Sequence, residues 1–506
     1  MIQNNVNVLI ITDVIAITYW TRSAGPYRLA TELRLAGYTC QVVDCWVNLT
    51  EAEQLEIYDR CIGPATLMLG FSSTFLAYVD DDREKSLLNM NRQKESAHIG
   101  DTQNFPYRTE KMLEYFNYVK KINPDVKIVL GGYKSSFYNA PGVDAFMTGQ
   151  AEVATIEYLK YLQGKNPFFQ FEKVNNTQIK IDGDKYNVTF DFQNSYIKYE
   201  PYDNMMHGEV VAIEVGRGCI FKCKFCSYVL NGKAKNDYIK NPAVLREEFI
   251  RNYNEHGITK YIYSDDTHND STEKLQLLAD VVQSLPFKIE YVSYLRIDLL
   301  RSHPEQYQLL KDGGIRSCFF GIESLNWKSL QSIGKGLHPD KVVEELHNFA
   351  DKMPHVGTEG SFMVGLPYET KYSVAQWVNQ ILDPKFPLDT VYVEALIVNR
   401  NPNRMYKSEF DLNLKDYFTF YKDSYILWDN GNFNRTWAED FCKMIYTHKM
   451  KTYDRRVGGW QTFFIDNFQL GKDYNRCRQS DLDFNHYKQR NKIRNRYIDL
   501  LFDRAK

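Results

Sequence analysis

Val215-Gly216-Arg217-Gly218-Cys219-Ile220-Phe221-Lys222-Cys223-Lys224-Phe225-Cys226-Ser227 sets three cysteines at spacing C-x3-C-x2-C, among basic and aromatic neighbours. The stretch follows a predicted strand over 209–214. Cysteine thiolates are soft ligands that suit zinc or an iron–sulfur cluster. Three of them close neither a tetrahedral zinc site nor every iron of a cubane cluster. A structural zinc site wants a fourth Cys or His close by, and the nearest candidates, His207 and His256, are badly placed for it. A [4Fe–4S] cluster on three thiolates leaves one iron open to a substrate or cofactor. Cys219, Cys223 and Cys226 are therefore the candidate metal ligands and the centre of any catalysis.

Working outward, 506 residues exceed one ordinary domain, and two or three are expected. With 43% hydrophobic and 25% charged residues the chain can bury sizeable cores and is not disordered. A formal net charge of −2 gives no global footprint for nucleic acid or an acidic membrane, so no nucleic-acid partner is expected. Met1-Ile2-Gln3-Asn4-Asn5 lacks a basic n-region and a long apolar run, so no secretory signal is expected. No stretch approaches the ~20 apolar residues of a membrane span, and a cytoplasmic location is expected. Cys40, Cys45, Cys61, Cys318, Cys442 and Cys477 are scattered and read as reduced core residues, and a reducing compartment suits an iron–sulfur site.

Toward the N-terminus, Val6–Thr12 is a short apolar run that reads as a buried strand. Gly25-Pro26 opens a helical pattern closed by Gly37. Further strands are predicted at 40–44, 66–72 and 126–130, the last running into Gly131-Gly132. Strand–helix alternation of this kind predicts a doubly wound, Rossmann-like parallel sheet over 1–164, with ligands at the carboxyl ends of its strands. Asp80 to Pro106 reads as a solvated insertion, since Asp80-Asp81-Asp82 lacks the oxygen spacing of a calcium loop. Asp182-Gly183 signals a hairpin with strands over 174–181 and 185–192, inside a linker spanning 165–204.

Beyond the linker, alternation resumes over 205–398. Strands are predicted at 210–214, 261–264, 290–295, 317–321, 358–364 and 390–396, with helices between them, for example 241–255 and 272–284. Six parallel strands with the cysteine loop after the first predict a partial (β/α)6 barrel, whose chemistry sits at the carboxyl ends of the strands. Residues 399–506 read as a mostly helical cap that shapes a substrate pocket, with His448, Tyr453, Arg455 and Trp460 as candidate lining. The basic tail from Arg476 to Arg496 reads as a solvated amphipathic helix, an alternative being a surface for RNA or peptide.

The cysteine spacing, with Phe225 just before the third Cys, resembles the radical SAM superfamily. Several predicted strand ends resemble it too, in the order that family has them. Tyr263-Ser264-Asp265-Asp266-Thr267 is similar to the paired-aspartate segment of cobalamin-linked members. Ser293-Tyr294-Leu295-Arg296 places Arg296 where it would pair bidentately with a methionyl carboxylate. Gly321-Ile322-Glu323-Ser324, trailed by Ile333-Gly334-Lys335-Gly336, is similar to the acidic strand end that contacts the SAM ribose or amine. Phe362-Met363-Val364-Gly365-Leu366-Pro367-Tyr368-Glu369-Thr370 is similar to the segment whose small Gly365 lets the backbone approach the adenine. The resemblance implies a [4Fe–4S] cluster, S-adenosylmethionine, and an external electron donor of flavodoxin or ferredoxin type. It also implies reductive cleavage of SAM to a 5′-deoxyadenosyl radical. Phe225, Ser227, Asp265, Arg296, Glu323 and Gly365 are then candidate cofactor contacts, and Arg217 and Lys222 would add positive charge beside the cluster.

The N-terminal third resembles the cobalamin-binding domain upstream of many such cores. The matching pieces are Leu69-Gly70-Phe71-Ser72-Ser73, Leu130-Gly131-Gly132, and the segment from Val143 to Glu152, with Gln150 and Ala151 replacing the family's Glu and Gly. Gly131 and Gly132 are its candidate cofactor contacts. The family's D-x-H-x-x-G segment is missing, since 12–26 contains no His. Two outcomes stay open: cobalamin bound without a protein ligand, or a fold that has lost the cofactor. The first goes with methyl transfer to an unactivated carbon, the second with rearrangement, cyclisation or epimerisation. A non-catalytic, metal-stabilised binding protein is the reading from another class. A tRNA methylthiotransferase is disfavoured, because it should carry a further three-cysteine set in the N-terminal domain, and Cys40, Cys45 and Cys61 lack suitable strand-end positions. No motif names the substrate.

Overall fold

The computed structural model describes residues 2–12, 22–46, 49–72, 78–79, 107–132, 140–227, 238–398, 407–420, 428–445 and 495–504. Two compact units emerge, one of Met1–Glu209 with Tyr487–Lys506 and one of Val210–His486. The expected insertion over 80–106, the candidate lining residues His448, Tyr453, Arg455 and Trp460, Cys477 and most of the basic tail lie outside the described residues.

The first unit is built on strands β1 (Val8–Ile11), β2 (Cys40–Val43), β3 (Met68–Ser72), β6 (Lys127–Gly131) and β7 (Ala145–Thr148), separated in chain order by a two-residue pair, β4 (Tyr78–Val79) and β5 (Tyr107–Arg108). All of β1 and β2 is buried, as expected of strands covered on both faces. The sheet runs β2-β1-β3-β6-β7 in parallel, so the chain turns to opposite sides of β1 and places the switch point at the carboxyl ends of β1 and β3. Helix Glu51–Cys61 begins at a capping box in which Thr50 and Glu53 each accept from the other's backbone N–H, worth about 1 kcal/mol. Gly132, at φ +97°, makes the left-handed turn out of β6 that a side chain would resist.

Two expectations change here. The hairpin is made of β8 (Glu172–Lys173) and β9 (Ile179–Asp182), which turn at Asn175–Gln178; Asp182-Gly183 instead opens a short helix, Gly183–Asn187. Strand β9 pairs in parallel with β7, so the pair extends the N-terminal sheet rather than forming a separate linker. The reason is the Asx turn: Asn175 Oδ1 accepts from the N–H groups of Thr177 (2.9 Å) and Gln178 (2.9 Å) and closes the hairpin upstream of the Asp-Gly pair. The chain's end also differs from a solvated helix. Residues 495–501 form a helix whose Tyr497 and Leu501 are buried, with Phe502, in the first unit's core beside Val43, Trp46 and Phe71. The Tyr497 hydroxyl accepts from the Asp44 N–H at 3.1 Å, and the Arg22 guanidinium lies 5.0 Å over its ring.

The second unit is a six-stranded parallel sheet in strict sequence order: β10 (Val211–Ile213), β11 (Lys260–Tyr263), β12 (Glu290–Leu295), β13 (Ile315–Glu323), β14 (Gly357–Val364) and β15 (Thr390–Ala395). Consecutive order is what successive strand–helix units produce, and among the described residues no pairing closes β15 onto β10. Helix Pro242–His256 starts at the Asn241 cap with Pro at its first position and stops at left-handed Gly257. Because all six strands run the same way, the loops that follow them share one edge. Among the described residues no helix is long and apolar enough to cross a membrane.

Candidate active site

That edge gathers the cysteine loop after β10, the Asp265–Asp270 segment after β11, Arg296 after β12, Glu323 at the end of β13 and Gly365 after β14. The cysteine loop is held from several sides. Gly216 bridges Ile239, and the Arg217 N–H donates to the Tyr238 carbonyl at 3.0 Å. The Lys224 N–H donates to the Ile333 carbonyl (3.2 Å), and the Lys224 carbonyl accepts from the Phe410 N–H (3.0 Å). Lys224 Nζ reaches Glu409 (3.3 Å) and the Tyr417 hydroxyl (3.1 Å), so the segment 408–417 braces the loop.

Within the loop Cys219 is buried, whereas Cys223, Phe225, Cys226 and Ser227 are half-buried. Burial pushes the Cys219 thiol above its ordinary range, with the Thr267 hydroxyl 3.3 Å from its sulfur working the other way. The Cys226 N–H closes a turn onto the Cys223 carbonyl at 3.0 Å. Among the described residues no three Cys, His, Asp or Glu side chains stand as a ready metal-ligand group. The donor set itself fits an iron–sulfur cluster: three thiols in one loop, with a hydroxyl within hydrogen-bond distance of one sulfur and a guanidinium donating to another.

The aspartate pair divides its tasks. Asp265 is fully buried, 2.7 Å from Lys274 Nζ and 3.6 Å from His268 Nδ1. Burial opposes its charge, but Lys274 and His268 outweigh it and hold Asp265 at about 2. Lys274, itself fully buried, also binds Asp270 (2.9 Å) and donates to the Thr267 carbonyl (2.8 Å). Asp270 takes a second bond from the Tyr238 hydroxyl at 2.8 Å, and His268 meets the Tyr291 hydroxyl at 3.0 Å. Asp265, expected as a cofactor contact, is thus engaged inside the protein. Asp266 is half-buried and pushed up to about 7 by burial and the adjacent Asp265 charge, while its bond from the Gly218 backbone ties it to the cysteine loop.

Arg296 is likewise engaged within the protein. Its bidentate partner is Asp298, at 3.1 and 2.6 Å. The guanidinium stacks 3.9 Å over the Phe221 ring, and Nη1 lies 3.5 Å from the Cys223 sulfur. Arg217, expected to supply charge beside the cluster, instead pairs with Glu214 at 2.8 Å, and Lys222 is exposed. Glu323 sits at a register shift between β13 and β14 with φ +76°, a bulge that re-aims its side chain. It is buried, 3.7 Å from Lys335 Nζ, and burial raises it against the pull of Lys335 and Arg296.

Gly365 has φ +115°, and a Cβ there would overlap the indole of Trp428. The close neighbour its small size admits is therefore that ring. Its N–H donates to Glu369 at 2.8 Å; the same buried carboxylate accepts from the Leu366 N–H (3.1 Å), the Ser324 hydroxyl (2.7 Å) and the Trp377 indole (3.1 Å). In the first unit, Gly131 ends β6 beside β3 and Gly132 makes the turn after it. Sequence reasoning missed Thr267, Lys274, Asp270 and Asp298 as site residues. Spacing signalled three of them: Asp270 and Lys274 are four apart at a helix start, and Asp298 follows Arg296 by two.

The chain resembles known proteins in both sequence and fold. Residues 213–381 match the model of the Radical SAM superfamily. An uncharacterized methyltransferase of Pyrococcus horikoshii is 26% identical over 50% of this chain and 57% of its own length. The anaerobic magnesium-protoporphyrin IX monomethyl ester cyclase of Cereibacter sphaeroides is 24% identical over 51% of this chain and 44% of its own. The chain thus spans about half the length of these curated relatives. Among solved structures, the radical SAM methyltransferase TsrM from Kitasatospora setae, with cobalamin and a [4Fe–4S] cluster bound, is similar at TM-score 0.56 and 13% identity, covering 81% of this chain and 75% of its own. The cobalamin-dependent radical enzyme OxsB, with aqua-cobalamin and S-adenosylmethionine, matches at 0.54 and 13% identity, covering 81% of this chain and 56% of its own. A radical SAM domain goes with a [4Fe–4S] cluster and S-adenosylmethionine. Residues 213–381 thus match a radical SAM domain, and the fold that the chain shares with these two structures includes a first unit of the cobalamin-binding type.

Proposed function

We propose that this chain cleaves S-adenosylmethionine reductively and uses that chemistry in cobalamin-dependent methyl transfer to a small or peptide substrate. The observation that carries the reading is the C-x3-C-x2-C loop at the carboxyl edge of a six-stranded parallel sheet, with donors from two neighbouring strand ends at its sulfurs. Cys219, Cys223 and Cys226 would hold the cluster. When bound, cluster and SAM together supply one-electron reductive cleavage of the sulfonium bond.

The chain's own residues position the loop. Lys224, Phe410 and Tyr417 fix the loop's path. Arg296, stacked on Phe221, places a guanidinium nitrogen 3.5 Å from the Cys223 sulfur. Asp266 and Glu323 are the acidic groups that would accept from the ribose or amine of SAM, the first because it is less enclosed than Asp265. Gly131 and Gly132, beside the switch point of the first sheet, would meet cobalamin. An external flavodoxin- or ferredoxin-type protein would deliver the electron.

The test is anaerobic reconstitution with iron and sulfide, then SAM and dithionite. The expected result is 5′-deoxyadenosine from wild type and none from Cys223→Ala, with cobalamin retained through gel filtration by its visible spectrum. A protein that makes 5′-deoxyadenosine but retains no corrinoid supports the second reading, rearrangement, cyclisation or epimerisation, which the missing His over 12–26 leaves open. Iron bound without SAM turnover would sink both.

A further inference from the structure

Thr267 and Arg296, from two different strand ends, touch sulfurs of the cysteine loop. Thr267 Oγ1 lies 3.3 Å from the Cys219 sulfur, in a buried contact. Arg296 Nη1 donates to the Cys223 sulfur at 3.5 Å. Both are fixed from behind. The Thr267 carbonyl accepts from Lys274 (2.8 Å) and its N–H faces Asp265 Oδ1 (3.4 Å), so the fully buried Lys274–Asp265–Asp270 group sets where its hydroxyl stands. Asp298 grips two nitrogens of the Arg296 guanidinium, and Phe221 stacks on its face, which leaves Nη1 directed at the sulfur.

We propose that Thr267 and Arg296 are positioning residues that set the reduction potential of the cluster by hydrogen bonding to Cys219 and Cys223; this rests on the reading of the three cysteines as cluster ligands. The Thr267 hydroxyl also lies 2.8 Å from the Asp266 carbonyl, where it can donate. A metal-bound thiolate carries no proton, so the hydroxyl hydrogen is the one that can lie between Oγ1 and Sγ. A charged acceptor outcompetes a neutral carbonyl by roughly twofold in bond strength. Donors to cluster sulfurs draw off electron density and stabilise the reduced, more negative form. Arg296 adds a full positive charge to the same effect. Its place at the carboxyl edge thus serves the sulfur rather than an open carboxylate.

The experiment is an EPR-monitored redox titration of anaerobically reconstituted full-length protein, with iron and sulfide counted in each sample. Thr267→Val is expected to shift the reduced-to-oxidised ratio at a fixed poise by about tenfold toward oxidised, ~59 mV for one electron. Thr267→Ser, which keeps the hydroxyl, should titrate with wild type. Arg296→Gln should move in the same direction and further than Thr267→Val. Thr267→Ala serves as a second variant without the hydroxyl. Fully loaded Thr267→Val or Thr267→Ala titrating with wild type overturns the inference while leaving the cluster assignment intact. Equal shifts in Thr267→Ser and Thr267→Val do the same, as does loss of iron from both hydroxyl-less variants, which makes Thr267 structural. A wild type that takes up no iron overturns the site reading and this inference with it.

Discussion

Lys274→Met is the sharpest probe of how the candidate site is held together. Lys274 is fully buried and binds Asp265 at 2.7 Å, Asp270 at 2.9 Å and the Thr267 carbonyl at 2.8 Å. Methionine fills nearly the same length without the charge. It removes the largest source of stabilisation for the buried Asp265 charge, and burial holds the neighbouring His268 below its ordinary range. Asp270 keeps its Tyr238 bond and suffers less. Breaking a buried pair from one side costs about 3–5 kcal/mol, or roughly two to three and a half powers of ten at ~1.4 kcal/mol each. Native-state hydrogen exchange at the β11 and β12 amides reads that cost locally. A companion variant, Lys274→Met with Asp265→Asn and Asp270→Asn, should recover most of the loss, since a neutral network has no orphaned charge. Acid adds a second check. Burial works against the Asp265 carboxylate, but Lys274 and His268 hold it down to about 2. Its stabilisation is therefore complete above about pH 4 and is lost as pH falls toward its folded value. Lys274→Met should lack that acid limb. Exchange rates within about threefold of wild type, or no gain from the neutral companion, would refute the reasoning.

Three further outcomes are expected. Gly365→Ala should cost about 2–4 kcal/mol, because φ +115° and the Trp428 indole both exclude a Cβ; a thermal melt followed by Trp fluorescence checks it. Tyr497→Ala should destabilise the first unit by about 3–5 kcal/mol, since the ring is fully buried in that core; exchange at the β1 and β2 amides should rise while β11 and β12 stay unchanged. Burial pushes Glu369 up to about 7 against four hydrogen-bond donors, so the stability it contributes at low pH declines as pH rises through that value. The melting temperature of Glu369→Gln should lose that slope between about pH 4.5 and 7, whatever its absolute value.

What the sequence revealed follows how local each determinant is. The C-x3-C-x2-C spacing is a property of one loop, and alternating strand and helix patterns are a property of about ten residues at a time, so the six strands of the second unit were predicted to within two residues at each end. The hairpin shows the opposite case. Asp182-Gly183 is a genuine turn signal, but Asn175 closes the chain first through its own side chain, and pairing of β9 with β7 then fixes the rest. The buried placement of Tyr497 was not visible at all. Its neighbours Arg494, Arg496 and Asp499 make the segment look solvated, while its partners Asp44 and Arg22 stand far away in the chain.

The site repeats that lesson in its chemistry. Residue type told which groups are able to bind a cofactor; it did not tell which of them have already found a partner. Asp265 and Arg296 carry the right charges for a ligand, yet Lys274 and Asp298 neutralise them within the fold. A buried charge without a partner is costly, so a strand-end carboxylate that meets a lysine four residues past another aspartate is engaged by it before any ligand arrives. At the same edge Asp266 is tied to Gly218, and Glu323, turned by its bulge, faces Lys335 at 3.7 Å. The engaged pairs act one step further back. They fix Thr267 and the Arg296 nitrogen beside the Cys219 and Cys223 sulfurs, so each of these charges has a task inside the fold.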